Sequence, residues 1–166
     1  MFEMKIGLIS DTHDNIQNIE KATSLFNDNN VSFAIHAGDV VSPEAVEAFS
    51  GVKLIGVLGN NDLEIDGLTN AFDKIGGQLK GELCEMEQDD LIFAIYHGTN
   101  AKRKESLIQS GKYDVVVCGH THKMQNKKVE KTLVINPGTA NGWCFGYSAT
   151  AAVFDTKTRE PEFLHL

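Results

Sequence analysis

Two histidines, His120 and His122, follow the apolar run 115–118 and a glycine. In an extended segment, residues two positions apart point to the same side, so both imidazoles would face one place. Neutral imidazole is a common metal ligand in proteins. Two structural histidines could show the same spacing, and the metal hypothesis therefore needs further ligands elsewhere in the chain.

Polar side chains of ligating types also follow the other four predicted buried strands. In open α/β sheets, ligands bind beyond the carboxyl ends of the strands. Each residue alone has a structural explanation: Asp11 as a helix cap, Asp39 as part of a turn, Asn60 as a loop residue. Their recurrence at successive strand ends instead predicts one metal site. The candidates that precede the histidine pair are Asp11 and His13, then Asp39, then Asn60, Asn61 and Asp62, and finally His97.

The predicted ligands are nitrogen and oxygen donors, without cysteine. Such a set suits Mn²⁺, Fe, Zn²⁺, Ni²⁺ or Co²⁺ and does not favour Ca²⁺. Gly38, Gly59 and Gly119 directly precede candidate ligands. Glycine allows the backbone to turn sharply, or to pass close to a bound ion, without a Cβ clash.

The strands that carry these residues alternate with helices in the first half of the chain and form hairpins in the second. Hydrophobic spacing predicts strands over 5–10, 31–38 and 52–59 and helices over 15–28, 42–51 and 68–77. It then predicts a hairpin over 81–98 with its turn at 88–90, a helix over 102–111, and strands over 114–119, 124–129, 132–135, 147–154 and 161–166. This order indicates an α/β fold, a four-layer αββα sandwich of two mixed β-sheets flanked by helices.

The composition limits the classes of function. A chain of 166 residues fits one domain, residues 1–166. Its net charge of -8 makes nucleic-acid binding through a basic face unlikely. No apolar run is long enough to span a bilayer and no signal-peptide pattern is evident, so we expect no signal peptide and no membrane partner. Cys84, Cys118 and Cys144 are odd in number and widely spaced, which indicates reduced thiols and a cytoplasmic protein.

The ordered set D-x-H, G-D, G-N-x-D, H-G and G-H-x-H, followed by N-P-G-T at 136–139, resembles the calcineurin-like metallophosphoesterase superfamily. Within it, the chain is similar to the compact prokaryotic phosphodiesterases. The resemblance implies the αββα fold and a dinuclear metal centre, with a metal-bridging hydroxide as the nucleophile. By position, Asp11, His13, Asp39 and His122 would bind one metal, and Asp39, Asn60, His97 and His120 the other, with Asp39 as the bridge.

Two metal ions of this kind can lower the pKa of bound water and hold phosphoryl oxygens for in-line attack. Many phosphatases of the superfamily have histidine at position 61, where this chain has Asn61. An amide can donate a hydrogen bond to a phosphoryl oxygen but cannot protonate a leaving group. Asp62 could orient Asn61 or a metal-bound histidine. Related small members often have a histidine at the position of Thr99. The contact that such a histidine would make with substrate or with a metal ligand is therefore in doubt for this chain.

We therefore expect a metal-dependent phosphodiesterase that acts on a small phosphodiester, with Asp39, Asn61 and Asp62 in the catalytic machinery. Mn²⁺ is the first candidate metal, followed by Ni²⁺, Fe, Co²⁺ and Zn²⁺. The alternatives are a phosphomonoesterase, a catalytically weak protein-interaction scaffold like the small retromer component, and a nuclease, which the acidic charge disfavours. Related small members often form homo-oligomers, and the sequence leaves that state open.

Several other residues have structural explanations that compete with functional ones. Alternation places His36 with Ala34 on one face of its strand, where a structural role is favoured. His165, near the C-terminus, is expected to be unrelated to the site. The basic run 102–104 is either a solvated helix start or a rim that attracts phosphate. The sequence leaves three roles open for the aromatic residues Trp143, Phe145 and Tyr147: packing in the core, lining a substrate pocket, or contact with another subunit.

Overall fold

The structure, a computed structural model, describes residues 3–142 and 146–166. The expectations for Trp143, Cys144 and Phe145 lie outside the described residues. Within the described ranges the helices are α1 (Ile16–Asp28), α2 (Pro43–Glu47), α3 (Ile65–Lys74) and α4 (Ala101–Gln109). The strands are β1 (Lys5–Ile9), β2 (Phe33–His36), β3 (Leu54–Gly56), β4 (Gln78–Leu79), β5 (Leu83–Gln88), β6 (Leu91–Tyr96), β7 (Val115–Val117), β8 (Met124–Val129), β9 (Thr132–Pro137), β10 (Thr150–Asp155) and β11 (Glu160–His165).

The strands form two mixed sheets, which confirms the predicted fold class. The first sheet has the order β11-β10-β1-β2-β3-β4, and the second has the order β5-β6-β7-β9-β8. Strands β1, β2, β3 and β4 run parallel, while β10 and β11 pair in antiparallel fashion at one side. In the second sheet β6, β7 and β9 are parallel, and the two outer strands are antiparallel.

Three apolar clusters hold the four layers together. Helices α1, α2 and α3 pack on the outer face of the first sheet, where Phe26 and Phe72 are fully buried. The two sheets pack against each other through side chains such as Phe93 and Phe154, whose rings meet edge to face with centroids 5.9 Å apart. Helix α4 covers the outer face of the second sheet. Burial of apolar surface on both faces of each sheet explains the near-continuous apolar strands.

Strand β2 shows how alternation assigns side chains to layers. Phe33 and Ile35 lie in the cluster between the sheets, and Ala34 lies in the cluster under the helices. His36 faces the same side as Ala34 and contacts the ring of Phe49 edge to face at 5.8 Å. The predicted orientation of His36 is confirmed.

Several predicted element boundaries were wrong. Helix α2 has its predicted N-cap, Ser42, whose hydroxyl accepts a hydrogen bond from the Ala45 N–H, but it ends at Glu47, well before Gly51. Helix α3 begins at Ile65, earlier than predicted, and β10 begins at Thr150, later than predicted. Strand β4 was not predicted, because two residues are too few for a recognisable hydrophobic pattern.

Parallel connectivity brings the loops that follow β1, β2 and β3 to one edge of the first sheet. The loops that follow β6 and β7 lie at the facing edge of the second sheet, since Gly119 N–H donates to the His97 carbonyl and His120 N–H donates to Asp11. The candidate ligands of the five loops therefore lie together. None of the helices in the described part of the chain has the length and apolar character needed to cross a membrane.

Replacement of Phe93 by alanine should destabilise the sandwich by about 3–5 kcal/mol, because Phe93 is fully buried between the sheets. The neighbouring Ile92 points away from that layer and is 37% exposed. Ile92→Ala is the matched control and should cost less than about 1.5 kcal/mol. Urea unfolding of both variants measures the difference. Equal losses would contradict the assignment of the layer between the sheets as the main core.

Candidate metal centre

The candidate ligands form two adjoining groups at the ends of the strands. Asp11, His13 and His122 form one group, and Asp11, Asp39 and His97 form the other. In each group the ligating atoms lie within 4.8 Å of one another. Asp11 thus belongs to both geometric groups, whereas the resemblance to the superfamily implied Asp39 alone at the shared position.

Asp39 nevertheless lies between the two groups. Its Oδ2 atom is 3.5 Å from His13 Nε2 and 3.3 Å from His97 Nε2. Asp11 Oδ1 is 3.2 Å from His122 Nε2, 3.8 Å from His13 Nε2 and 3.9 Å from His97 Nε2. Two carboxylate oxygens are therefore surrounded by three imidazole nitrogens, a set of donors that suits a divalent transition-metal ion.

His120 and Asn60 occupy exposed positions beside the second group. The His120 ring lies with its centroid 5.2 Å from that of His97. The side-chain carbonyl of Asn60 accepts a hydrogen bond of 3.4 Å from the hydroxyl of Thr99. Thr99 therefore contacts a candidate ligand, a role that the sequence did not suggest.

The hydrogen bonds around the ligands leave their ligating atoms free to face inward. Ser10 Oγ and the His120 N–H both donate to Asp11 Oδ2, at 2.6 and 3.1 Å, so Oδ1 is the oxygen directed at the histidines. His97 Nδ1 donates to the Ala37 carbonyl at 2.7 Å, which leaves Nε2 as the acceptor nitrogen of the neutral ring. A hydrogen bond from the second nitrogen to a carbonyl is the usual support of a metal-bound histidine.

Three buried polar atoms at the centre have no hydrogen-bond partner among the described residues: Asp11 Oδ1, His13 Nε2 and His97 Nε2. Such unsatisfied atoms are rare in protein interiors and costly to maintain. A divalent cation would interact with all three at once, and the donor chemistry fits the borderline transition metals. The residues present therefore fit a metal centre.

The electrostatics of the metal-free centre point the same way. Burial alone would raise the pKa values of Asp11 and Asp39, but the histidines that face them have a larger effect in the opposite direction. His122 and His13 lower the pKa of Asp11 strongly, and His97 lowers the pKa of Asp39 to about 2. The carboxylate of Asp11 raises the pKa of His13; burial lowers that of His97, but Asp39 more than offsets this and raises it. A bound cation would compete with protons for the same nitrogens and oxygens, so metal affinity should fall as the pH falls.

Strained backbone places the ligands. Asp11, His13, Asp39, His120 and His122 all have positive φ values, between 40° and 67°. Residues other than glycine rarely adopt this backbone conformation, and those that do cluster at functional sites. The sequence carried no signal of this strain.

The glycines before the ligands permit close approach between loops. A Cβ atom at Gly38, where φ is +97°, would lie 2.6 Å from His97 Nδ1. One at Gly59 would overlap Asp39 Oδ1, and one at Gly119 would overlap Ser10 Oγ. The close packing of loops therefore requires glycine at these positions, as the sequence suggested.

Asp62 holds the loops after β2 and β3 together. Its Oδ2 accepts hydrogen bonds from the N–H groups of Asp39 and Gly59, at 2.8 and 2.7 Å, and its Oδ1 accepts one of 2.7 Å from the Val41 N–H. Burial raises the pKa of Asp62, although these N–H donors act in the opposite direction. The suggestion that Asp62 orients Asn61 or a histidine was wrong about its targets, which are backbone amides.

Asn61 contacts the carboxylate of Asp39 directly. Its backbone N–H donates to Asp39 Oδ1 at 2.9 Å, and its side-chain amide donates to Asp39 Oδ2 at 2.8 Å. In this structure the amide therefore orients Asp39, a role that the sequence analysis did not foresee for it.

His36 and segment 136–139 hold the same loops through hydrogen bonds. The Gly38 N–H donates to His36 Nδ1 at 3.2 Å, so the neutral ring carries its proton on Nε2 and donates to Thr12 Oγ1 at 3.0 Å. Burial lowers the pKa of His36 to about 4, which keeps the ring neutral. Asn136 Nδ2 donates to the Gly119 carbonyl at 2.9 Å, and Thr139 Oγ1 donates to the Asp11 carbonyl at 3.1 Å.

Two cavities flank the centre. One, of about 360 Å³, adjoins Asn60 and includes Thr99, Tyr96 and Arg103 among its lining residues. Arg103, from the basic run 102–104, lies 5.0 Å above the Tyr96 ring and donates to Glu82 at 3.0 Å, so the run is partly paired. The list of residues that line the other cavity, of about 400 Å³, includes His122, Lys123, Met124, Tyr147 and His165.

A model of the calcineurin-like phosphoesterase superfamily domain matches residues 4–159. The chain belongs to this superfamily. It is 41% identical over 160 residues to a protein of Methanocaldococcus jannaschii named as a phosphodiesterase, covering 95% of this chain and 96% of that protein.

Solved structures extend the comparison. One described as an archaeal phosphodiesterase superposes with a TM-score of 0.93 at 40% identity and covers 98% of this chain and 100% of that chain. Vacuolar Protein Sorting 29 of Cryptosporidium parvum has a TM-score of 0.70 at 19% identity, covering 100% of this chain and 98% of that chain. This second likeness shows the shared fold only.

Asp62→Asn should weaken metal binding about 10- to 100-fold, because the amide nitrogen would face a backbone N–H that now has an acceptor. All candidate ligands remain present in this variant. Asp73→Asn, at an exposed position of α3, is the control and should bind metal like the original chain. Calorimetric titration of metal-stripped proteins with Mn²⁺ measures both. Unchanged affinity in Asp62→Asn would show that these three hydrogen bonds do not position the ligands.

Proposed function

We propose that the chain is a metal-dependent phosphodiesterase that hydrolyses a small phosphodiester. The observation that carries the proposal is the position of Asp39 Oδ2, within 3.5 Å of the Nε2 atoms of both His13 and His97. One carboxylate at the junction of two ligand groups suits a dinuclear centre. The 41% identity to a protein named as a phosphodiesterase supports the same reaction.

Seven residues would hold two divalent ions. Asp39 joins the two sets of ligands: Asp11, His13 and His122 on one side, and Asn60, His97 and His120 on the other. Mn²⁺ is the first candidate, and Ni²⁺, Fe, Co²⁺ and Zn²⁺ suit the same donors. When bound, such ions lower the pKa of coordinated water and offset the charge of phosphoryl oxygens.

The residues around the centre suit a diester better than a monoester. Asn61 holds Asp39 through two hydrogen bonds and has no proton to transfer to a leaving group. Two divalent charges against two carboxylates and a hydroxide leave about one positive charge, which matches a phosphodiester monoanion. A phosphomonoesterase therefore remains the less favoured alternative.

The wider properties of the protein are proposals of the same kind. We infer a single domain over residues 1–166, a cytoplasmic location and no membrane or nucleic-acid partner, the last because the net charge is -8. The sequence leaves homo-oligomer formation open. The buried cluster of ligating atoms without partners favours a metal-dependent enzyme over a scaffold.

Metal-stripped protein should regain hydrolysis of bis(4-nitrophenyl) phosphate when Mn²⁺ or Ni²⁺ is added, and should hydrolyse 4-nitrophenyl phosphate more slowly. Asp39→Ala should lose at least about 10²-fold in activity, because both ligand sets lose a member. Asp28→Ala, at an exposed position of α1, is the control. Failure to hydrolyse either ester, with metal shown to be bound, would favour the scaffold alternative.

Asn61→His should raise the ratio of monoester to diester hydrolysis at least about tenfold, because imidazolium can protonate a leaving group. Asn61→Ala removes the side-chain hydrogen bond to Asp39, keeps the backbone one and adds no acid, so it separates the loss of the amide from the gain of the acid. The ratio of kcat/KM values for the two aryl esters is the measurement. A ratio that is the same in all three proteins would place the difference elsewhere than position 61.

A further inference from the structure

The cavity beside His122, which we call the basic cavity, is lined by residues 122–124, 146–148, Thr150 and His165. It lies where β8, an edge strand of the second sheet, approaches β11, an edge strand of the first sheet. Its wall includes His122, which also faces Asp11 Oδ1 at 3.2 Å. A ligand held at the metal centre could therefore extend directly into this cavity.

The charge of the basic cavity is unusual for this chain. None of its described lining residues is acidic, although the whole chain has 23 acidic and 15 basic residues. Lys123, directly before β8, and His165, in β11, provide basic groups from two different elements. The Lys123 ammonium lies 5.9 Å from the centroid of the Tyr147 ring, and this contact limits the positions of the cation.

The cavity beside Asn60, in contrast, is lined by one cation and one carboxylate, which form a pair. Its cation, Arg103, donates a hydrogen bond of 3.0 Å to Glu82, which also lines that cavity. The pair has no net charge, and the remaining polar groups are amides and hydroxyls of residues such as Asn60, Thr99 and Asn100. The two cavities on either side of the centre therefore differ in charge.

A phosphodiester has two ester arms, and the centre has two unlike cavities beside it. We propose that the substrate is an unsymmetrical phosphodiester, one arm of which carries a further anionic group that binds in the basic cavity near Lys123 and His165. The other arm is polar and uncharged and lies toward Asn60 and Arg103. This inference rests on the proposed phosphodiesterase function and names the class of substrate.

Two synthetic diesters that differ only in charge test the inference. In 4-nitrophenyl 4-carboxyphenyl phosphate one arm is anionic, and in 4-nitrophenyl 4-carbamoylphenyl phosphate the corresponding arm is neutral and of nearly the same shape. The Mn²⁺-loaded protein should hydrolyse the carboxylate with a kcat/KM about three- to fivefold higher, the range expected for a partly exposed charge pair. The preference should decrease as the ionic strength rises.

Substitutions then locate the preference. Lys123→Met keeps an unbranched side chain but removes the charge, and it should bring the ratio of the two kcat/KM values close to one. Lys128→Met removes an exposed lysine of β8, the strand that directly follows Lys123, and is the control that should keep the preference. A preference that survives in Lys123→Met, or that is absent from the original protein, would overturn the inference while the phosphodiesterase function stands.

A binding measurement distinguishes failure of this inference from failure of the proposed reaction. Calorimetric titration of the metal-loaded protein with 4-carboxyphenyl phosphate and 4-carbamoylphenyl phosphate requires no turnover. Tighter binding of the carboxylate, lost in Lys123→Met, would support the basic cavity even if neither diester were hydrolysed, in which case only the proposed reaction would fail. Equal binding of the two compounds, with no hydrolysis of either diester, would overturn both.

Discussion

The centre depends on the constraint that holds Asp39. Its two oxygens accept hydrogen bonds from Asn61, its backbone N–H donates to Asp62, and its Oδ2 lies between His13 and His97. The carboxylate is therefore fixed before any cation binds, and a ligand fixed in advance lowers the entropic cost of binding. The loops after β2 and β3 cannot move independently, because the same carboxylate of Asp62 binds amides of both.

This arrangement of ligands requires a strained backbone. Five candidate ligands have left-handed backbone conformations, each of which costs on the order of 1–3 kcal/mol unless the surroundings determine it. The surroundings here are the buried hydrogen bonds of Ser10, His36, Asn136 and Thr139, together with glycines that let the loops touch. The rigid sheets beneath the loops supply the stability that compensates for the strain.

The sequence was informative where function follows from strand order. Side chains at the ends of parallel strands of one sheet must meet, so the grouping of Asp11 with Asp39 could be predicted without knowledge of any distance. The approach of His97, from the second sheet, was predicted only from the recurrence of ligating side chains at strand ends. It was uninformative where a side chain meets backbone from another loop, as Asp62 does, because backbone amides have no signature in the sequence. His165 was set aside for a related reason: only the pairing of β11 with β10, which aligns His165 with Thr150, brings it to the wall of the basic cavity.

Both sheets contribute candidate ligands to the centre. Asp11, His13, Asp39 and Asn60 follow strands of the first sheet, while His97, His120 and His122 follow strands of the second. A cation bound between them would therefore link the two sheets at the edge where no apolar layer does so. Binding to the folded chain alone stabilises it in proportion to the logarithm of metal concentration over the dissociation constant. The buried atoms without partners would then stabilise the fold once a metal binds, whereas in the metal-free chain they destabilise it. Function and stability thus depend on the same few oxygens and nitrogens.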